Sequence, residues 1–319
     1  MPAAKAQPTD PARLAERVCA GDPAALARAL TWVTNESAGH EQVSRALFAS
    51  HGRSHKVGLC GAPGSGKSSL VSRLVSWYRR SGRTVGVLAV DPTSPFTGGA
   101  FLGDRLRIQE HALDEGVFMR SLATRGMMGG LNANIFGAIH VLEAYGFDVV
   151  IIETVGTGQD EVDIAEVADT VVCVTAPYQG DEYQAMKAGA MEIADVFAVN
   201  KADLEEVDRA VAALRDALSL GEQDENAWSS TVMAVSALTG RGIDELCARI
   251  EEHREFLASS PEGRERKRKQ LRRELSLLIS KRIYRDTLER ITDRHLEQLL
   301  EKKTDPHTLG RRLIRADKK

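Results

Sequence analysis

The sequence is poor in features that would each mark a particular class of protein. Its four cysteines, Cys19, Cys60, Cys173 and Cys247, lie far apart and form no C-x-x-C pair, which argues against a cluster-type zinc site and a redox dithiol. Its eight histidines are scattered, with no His-rich tract. No stretch approaches the roughly 20 apolar residues a membrane span needs, and the N-terminal MPAAKAQPTDPARLAERV has no apolar signal core. A cytoplasmic protein with no membrane partner is therefore expected. The formal charge of −3 and 43% hydrophobic residues over 319 positions are an ordinary globular composition, which excludes disordered, collagen-like and disulfide-scaffold classes.

Charge is nevertheless uneven. Residues 254–319 hold 20 Lys and Arg against 11 Asp and Glu, a net of +9, so the first 253 residues carry the remaining −12. The run RERKRKQLRR invites a nucleic-acid reading, but acidic residues resume at Glu274 and no aromatic interleaving would support base stacking. A solvated face of a charged helix is the expected outcome, with no nucleic-acid partner. Leu271, Leu275, Leu278, Tyr284, Leu288, Ile291 and Leu299 recur at helical intervals in the same tail, a stripe that can bury only against another surface.

Three segments follow: a helical extension over 1–50, an α/β body over 51–255 and a helical arm over 256–319. In the first, Leu14 and Val18, an Asp22-Pro23 helix start, and Leu26, Leu30 and Val33 have helical spacing. In the body, the apolar runs KVGLCG, TVGVLAVD, VFMRSL, FDVVIIET, TVVCVTA, VFAVNKAD and TVMAVSAL alternate with helical stretches. That alternation predicts a mainly parallel sheet covered on both faces.

The strongest motif is Gly61-Ala62-Pro63-Gly64-Ser65-Gly66-Lys67-Ser68, or G-x-x-x-x-G-K-S, between a strand-like run and the amphipathic SLVSRLVSWYRR. Its glycines let successive N–H groups face phosphate oxygens, and the following helix adds its dipole. Lys67 would reach the β and γ phosphates and Ser68 would bind Mg²⁺. Asn200-Lys201-Ala202-Asp203 follows the run VFAV. There Asp203 can accept from guanine N1–H and N2, donors that adenine lacks, Asn200 can hold the loop near N7, and the Lys201 stem can cover the ring. Ser236-Ala237-Leu238 ends the last run and can offer a backbone N–H to guanine O6. In this chain order the three motifs select GTP or GDP over ATP.

Asp91 and Glu153 close two of the runs, and Asp104 lies in TGGAFLGDR; all three are candidate Mg²⁺ or water-shell ligands. Gly156 can offer its N–H to the γ-phosphate. In Ras-like GTPases the residue after this glycine is a glutamine that orients water. Here it is Thr157, with Gln159 two residues on, and slow intrinsic hydrolysis is expected.

The set GAPGSGKSS, VDPTSPFTGGAFLGDR, MRSLATRG, IIETVGTGQDEVD, GDEYQAMKAG and NKAD resembles the MeaB/MMAA GTPases, chaperones of adenosylcobalamin-dependent methylmalonyl-CoA mutase and related acyl-CoA mutases. The resemblance runs from about Leu14 to the C-terminus and is densest over 56–204. Its most specific mark is Glu153, where most GTPases carry Asp, joined to the DPTSPFTGG-x₃-GD loop. The family implies an all-parallel G domain of the signal-recognition-particle/MinD type (the SIMIBI class) and a C-terminal arm that makes a homodimer. It places Lys67, Asp104 and Glu153 in catalysis, and Ser68, Asp91, Asp104 and Glu153 around Mg²⁺. Nucleotide contacts fall to Gly61 through Ser69, Gly156, Asn200, Lys201, Asp203 and Ser236 through Leu238. It also implies that Gln179 to Lys187 relay nucleotide state to the mutase.

The sequence departs from the family at Pro177-Tyr178-Gln179-Gly180, where P-G-x-G is usual, and at Ser69, where threonine is usual. The principal rival is a nickel-insertion GTPase of the hydrogenase or urease maturation type. It would need soft or imidazole ligands, and no Cys-Pro-His stands near the acidic loops. A non-catalytic scaffold and an ATP-dependent kinase are weaker readings, the first opposed by Lys67 and Ser68 and the second by N-K-x-D.

Overall fold

The computed structural model describes residues 10–50, 54–91, 109–111, 113–123, 133–154, 160–177, 191–219 and 227–315. It divides into two compact units, residues 1–269 and 270–319.

The first unit begins with three helices, α1 (Pro11–Cys19), α2 (Pro23–Asn35) and α3 (His40–Ser50). Asp10 caps α1 by accepting from Ala12 N–H, and Asp22 caps α2 by accepting from Ala24 and Ala25 N–H. Each cap is followed by proline, whose missing N–H costs nothing at that position. Leu14, Val18, Leu26, Leu30 and Val33 are all buried, as their spacing required.

Each of the seven apolar runs supplies one strand: β1 (His55–Cys60), β2 (Val85–Asp91), β3 (Val117–Ala123), β4 (Val149–Thr154), β5 (Thr170–Thr175), β6 (Val196–Val199) and β7 (Thr231–Ala234). They form one sheet in the order β3-β2-β4-β1-β5-β6-β7, with every pairing parallel. The helices between them are α4 (Lys67–Arg80), α5 (Ala133–Tyr145), α6 (Asp160–Ala165), α7 (Val207–Ser219) and α8 (Ile243–Ser259). β1, β4 and β5 are buried along their whole length, which explains why their sequences run apolar without alternation. Val57, Leu59, Leu70, Leu74, Ile151 and Leu246 belong to one core that joins α4 and α8 to the sheet.

β1 lies between β4 and β5, so the chain leaves the central strand toward opposite edges of the sheet. A crevice therefore opens at the carboxyl ends of these strands, the position at which open α/β sheets hold ligands.

The opposite, N-terminal edge carries a buried polar chain. His55 Nε2 and His253 Nδ1 both lie 2.8 Å from Thr170 Oγ1. His253 Nε2 is 3.4 Å from Asp195, and Arg266 donates to both Asp195 oxygens at 2.7 and 2.8 Å. Burial pushes the His253 imidazole down to about 4, against the pull of the Asp195 carboxylate.

Arg266 belongs to α9 (Pro261–Leu288), whose later turns fall in the second unit with α10 (Asp293–Leu300) and α11 (Pro306–Arg315). The tail is helical, as its spacing predicts. Leu271, Leu275, Leu278, Tyr284, Leu288 and Ile291 stand exposed, and the basic run lies within α9.

Candidate functional site

The turn from β1 into α4 is shaped by glycines. Gly61 has φ +126°, and a Cβ there would lie 2.0 Å from the carbonyl oxygen of Val174 on β5. Gly66 has φ +94°, and a Cβ there would lie 2.2 Å from Asn200 Nδ2. Both positions demand a residue without a side chain, the first for close approach to a strand and the second for close approach to a loop. Lys67, the first residue of α4, turns its ammonium back onto the loop, donating to Gly61 O at 2.5 Å and Ala62 O at 3.0 Å. Pro63, Gly64 and Ser69 are exposed, whereas Ser65, Lys67 and Ser68 are buried. Ser65 Oγ has no hydrogen-bond partner among the described residues.

Ser68 Oγ donates to Glu153 Oε1 at 2.5 Å. Glu153 is delivered by β4, in register with Leu59 of β1 and Ala89 of β2, and is buried. A cavity of about 560 Å³ opens above this pair, lined by Pro63, Gly64, Gly66, Lys67, Ser68, Ser69, Ala89, Val90, Glu153, Thr154 and Lys201. Its floor thus combines a helix N-terminus, an ammonium, a hydroxyl and a carboxylate, a set that can hold an anionic phosphate and a hard cation side by side.

The loop after β6 comes to the same edge. Asn200 is buried, with Nδ2 donating to Ser65 O at 2.8 Å and Oδ1 accepting from Ala237 N–H at 3.0 Å. One amide side chain therefore ties the phosphate-type loop to the loop after β7. Lys201 follows with φ +64° and lines the cavity. Asp203 is exposed and accepts from Ser236 Oγ at 2.6 Å. That hydrogen bond holds the Asp203 carboxyl below the usual carboxylate range, so the group is an acceptor at neutral pH. Leu238, two residues after Ser236, is exposed.

Arg73 and Arg241 escaped the sequence reading. Arg73 on α4 donates to Ala237 O at 2.7 Å and Leu238 O at 2.8 Å, and Arg241 donates to Ala202 O at 3.0 Å. A lone arginine on an amphipathic helix carries no signal of the carbonyls it will meet. Asp91 ends β2, but its side chain lies outside the described residues. So do Asp104, Gly156, Thr157, Gln159 and the stretch from Gln179 to Lys187. Among the described residues no three His, Cys, Asp or Glu side chains gather as a metal-binding group.

A parallel sheet with a glycine-built phosphate loop after its central strand, and N-K-x-D and S-A-L loops at the same edge, defines a P-loop GTPase. The family model described as methylmalonyl Co-A mutase-associated GTPase MeaB matches residues 26–292, and the chain belongs to that family. A Pyrococcus abyssi protein named as a GTPase is 48% identical over 270 residues, 84% of this chain and 83% of its own length. A Caenorhabditis briggsae protein named methylmalonic aciduria type A homolog, mitochondrial, is 32% identical over 279 residues, 82% of this chain and 68% of its own. A crystal structure described as an LAO/AO transport system kinase superposes with a TM-score of 0.70 at 26% identity, covering 97% of this chain and 98% of that one.

Proposed function

We propose that this GTPase is a guanine-nucleotide switch that serves an adenosylcobalamin-dependent acyl-CoA mutase, methylmalonyl-CoA mutase or a relative, by gating cofactor loading and protecting the enzyme. The observation that carries the switch is the Asn200 bridge, because it joins a phosphate-holding loop and a base-reading loop into one receptor for a whole nucleotide. The mutase is suggested by the family's description and by the name of the Caenorhabditis briggsae relative.

In this reading the Gly61–Ser68 loop and Lys67 take the phosphates, with Ser69 beside them. Asp203 accepts from guanine N1–H and N2, Lys201 covers the ring, and the Ser236–Leu238 loop meets O6. Ser68 and Glu153 are hard oxygen donors that fit Mg²⁺, with Asp91 and Asp104 completing the set. When bound, the ion neutralises charge on the β and γ phosphates. Gly156 senses the γ-phosphate, and the loop from Gln179 passes the signal on. Lys67, Asp104 and Glu153 make up the catalytic group. Thr157 replaces the water-orienting glutamine, and intrinsic hydrolysis is slow. The protein works in the cytoplasm. Residues 1–50 form a helical extension, 51–255 the G domain and 256–319 the arm through which it makes a homodimer, a role supported by the exposed Leu271, Leu275 and Leu278.

The test is affinity purification from the native cell with GDP and with a non-hydrolysable GTP analogue. A B12-dependent mutase should be recovered to an extent that depends on the nucleotide, and Ser68→Ala should abolish that dependence. Recovery independent of nucleotide would leave a scaffold. Single-turnover hydrolysis of several per second by the isolated protein would contradict the slow clock.

A further inference from the structure

The Ser236–Leu238 segment after β7 carries three backbone amides, and two are already committed. Ser236 N–H donates to Arg241 O at 2.9 Å and Ala237 N–H to Asn200 Oδ1 at 3.0 Å. Among the described residues that leaves Leu238 N–H as the amide of the tripeptide with no acceptor. Leu238 N–H shares its peptide unit with Ala237 C=O, and that carbonyl accepts from Arg73 Nε at 2.7 Å. A second bond, from Arg73 Nη2 to Leu238 O at 2.8 Å, fixes the next peptide unit as well.

We infer that Arg73 is a specificity-positioning residue, which aims and polarises the Leu238 N–H toward the 6-position of the bound purine. The peptide is trans, so its C=O and N–H point in opposite directions. Pinning the oxygen to α4 turns the hydrogen away from α4. A guanidinium on the carbonyl also draws electron density from the amide and strengthens its N–H as a donor. Guanine O6 is an acceptor and rewards such a donor. The adenine 6-amino group is itself a donor and meets it head to head. Asp203 reads the N1–H and N2 edge, so Arg73 governs the 6-position, which Asp203 does not read.

The inference rests on the proposal that guanine sits between Asp203 and Leu238, and the experiment separates the two. Affinities of the full chain are measured by calorimetry for GDP, IDP, ADP and the 5′-diphosphate of 2-aminopurine riboside, which keeps the 2-amino group but lacks both O6 and the N1–H. In Arg73→Ala, GDP and IDP should weaken roughly tenfold, the scale of one charge-assisted contact, while the 2-aminopurine nucleotide changes less than about threefold on the same basis. Arg73→Lys, which keeps the charge but loses the fork, should fall between. Unfolding midpoints confirm that each variant is folded. If all nucleotides weaken equally, Arg73 merely staples the loop to α4 and the inference is overturned. Unchanged affinity for GDP overturns it too. If the unaltered protein fails to prefer GDP over ADP, the guanine reading falls and takes this inference with it.

Discussion

Asn200→Ala tests whether the N-K-x-D asparagine is first a clamp and only then a base contact. The substitution removes a side chain that is 3% exposed and strands two groups, the Ser65 carbonyl and the Ala237 N–H. A buried polar group left without its partner costs about 1–3 kcal/mol, and water entering the vacated space recovers part of that for the pair. A net loss of about 3 kcal/mol follows, or roughly 4–6 °C in melting temperature for a protein of this size. The loss should appear in nucleotide-free protein, whereas a residue that only touched the base would lower the stabilisation by added GDP and nothing else. Asn200→Asp sharpens the test. Its carboxylate can still accept from Ala237 N–H, but its second oxygen replaces an N–H donor and faces the Ser65 carbonyl, so the acid is favoured in its protonated form and its folded-state pKa rises above the unfolded value. The deficit against the unaltered protein should then be smallest near pH 4 and grow as pH rises toward that raised pKa, by up to about 1.4 kcal/mol for each tenfold gain in proton affinity on folding. Differential scanning fluorimetry without nucleotide, from about pH 4 to about pH 8 to span that range, reads both effects. An alanine variant melting within about 1 °C of the unaltered protein (roughly 0.5 kcal/mol), or an aspartate variant with no pH trend, would refute the clamp.

Two further outcomes follow from the geometry. Gly61→Ala places a Cβ 2.0 Å from the Val174 carbonyl, a contact only backbone movement can relieve, and should cost more than about 3 kcal/mol. Gly64→Ala, with φ +75° and nothing within 4 Å, should cost only about 1–2 kcal/mol, and equal losses in urea unfolding would disprove the steric account. Acid should destabilise the N-terminal edge of the sheet in two windows. His253, pushed down to about 4 by burial, stays neutral in the folded chain while the unfolded imidazole protonates, so stability falls as pH drops from about 6.5 to about 4, by up to roughly 3 kcal/mol. Glu251 is held at about 2, because the hydrogen bond from Arg83 at 2.7 Å and the nearby His55 and Arg254 together outweigh its burial, and its contribution is lost as pH falls from about 4.5 to about 2. His253→Gln should flatten only the upper window; identical pH profiles for the variant and the unaltered protein would remove His253 as the cause.

The strands could be read from the sequence because a parallel sheet buried on both faces needs unbroken apolar runs, and VVIIET and TVVCVT are such runs. Their order could not, since β1 meets β4 through pairs such as His55 with Val149 and meets β5 through pairs such as Val57 with Thr170, and no local pattern encodes such distant partners. The site divides in the same way. G-x-x-x-x-G-K-S and N-K-x-D are contiguous because each shapes a single turn. The bonds that make them one site span 135 residues between Asn200 and Ser65, 164 between Arg73 and Ala237, and 85 between Ser68 and Glu153. The helical spacing of Leu271, Leu275 and Leu278 announced an apolar stripe. Their exposure within the chain could emerge only from the fold, because spacing does not say which surface exists to cover a stripe.

The tie between the two loops limits where a nucleotide signal can begin. Asn200 joins the phosphate-type loop to the Ala237 amide, and Arg73 joins α4 to the Ala237 and Leu238 carbonyls. The phosphate-type loop, α4 and the loop after β7 are therefore tied to one another by side chains. Glu153 is equally constrained, with its backbone in register between β1 and β2, so its side chain is the part that can respond. The Ser68 hydroxyl has one proton and commits it to Glu153 Oε1, which leaves only lone pairs to offer a cation. The carboxylate thus orients the hydroxyl as an acceptor without competing for the same ligand position. A glutamate suits that task because its extra methylene lets the carboxylate reach Ser68 from a strand whose backbone cannot shift. In the proposed switch, the difference between a triphosphate and a diphosphate falls to side chains and loops that face the cavity at the Ser68–Glu153 pair, because Asn200 and Arg73 tie the loop assigned to the base to the phosphate-type loop and α4.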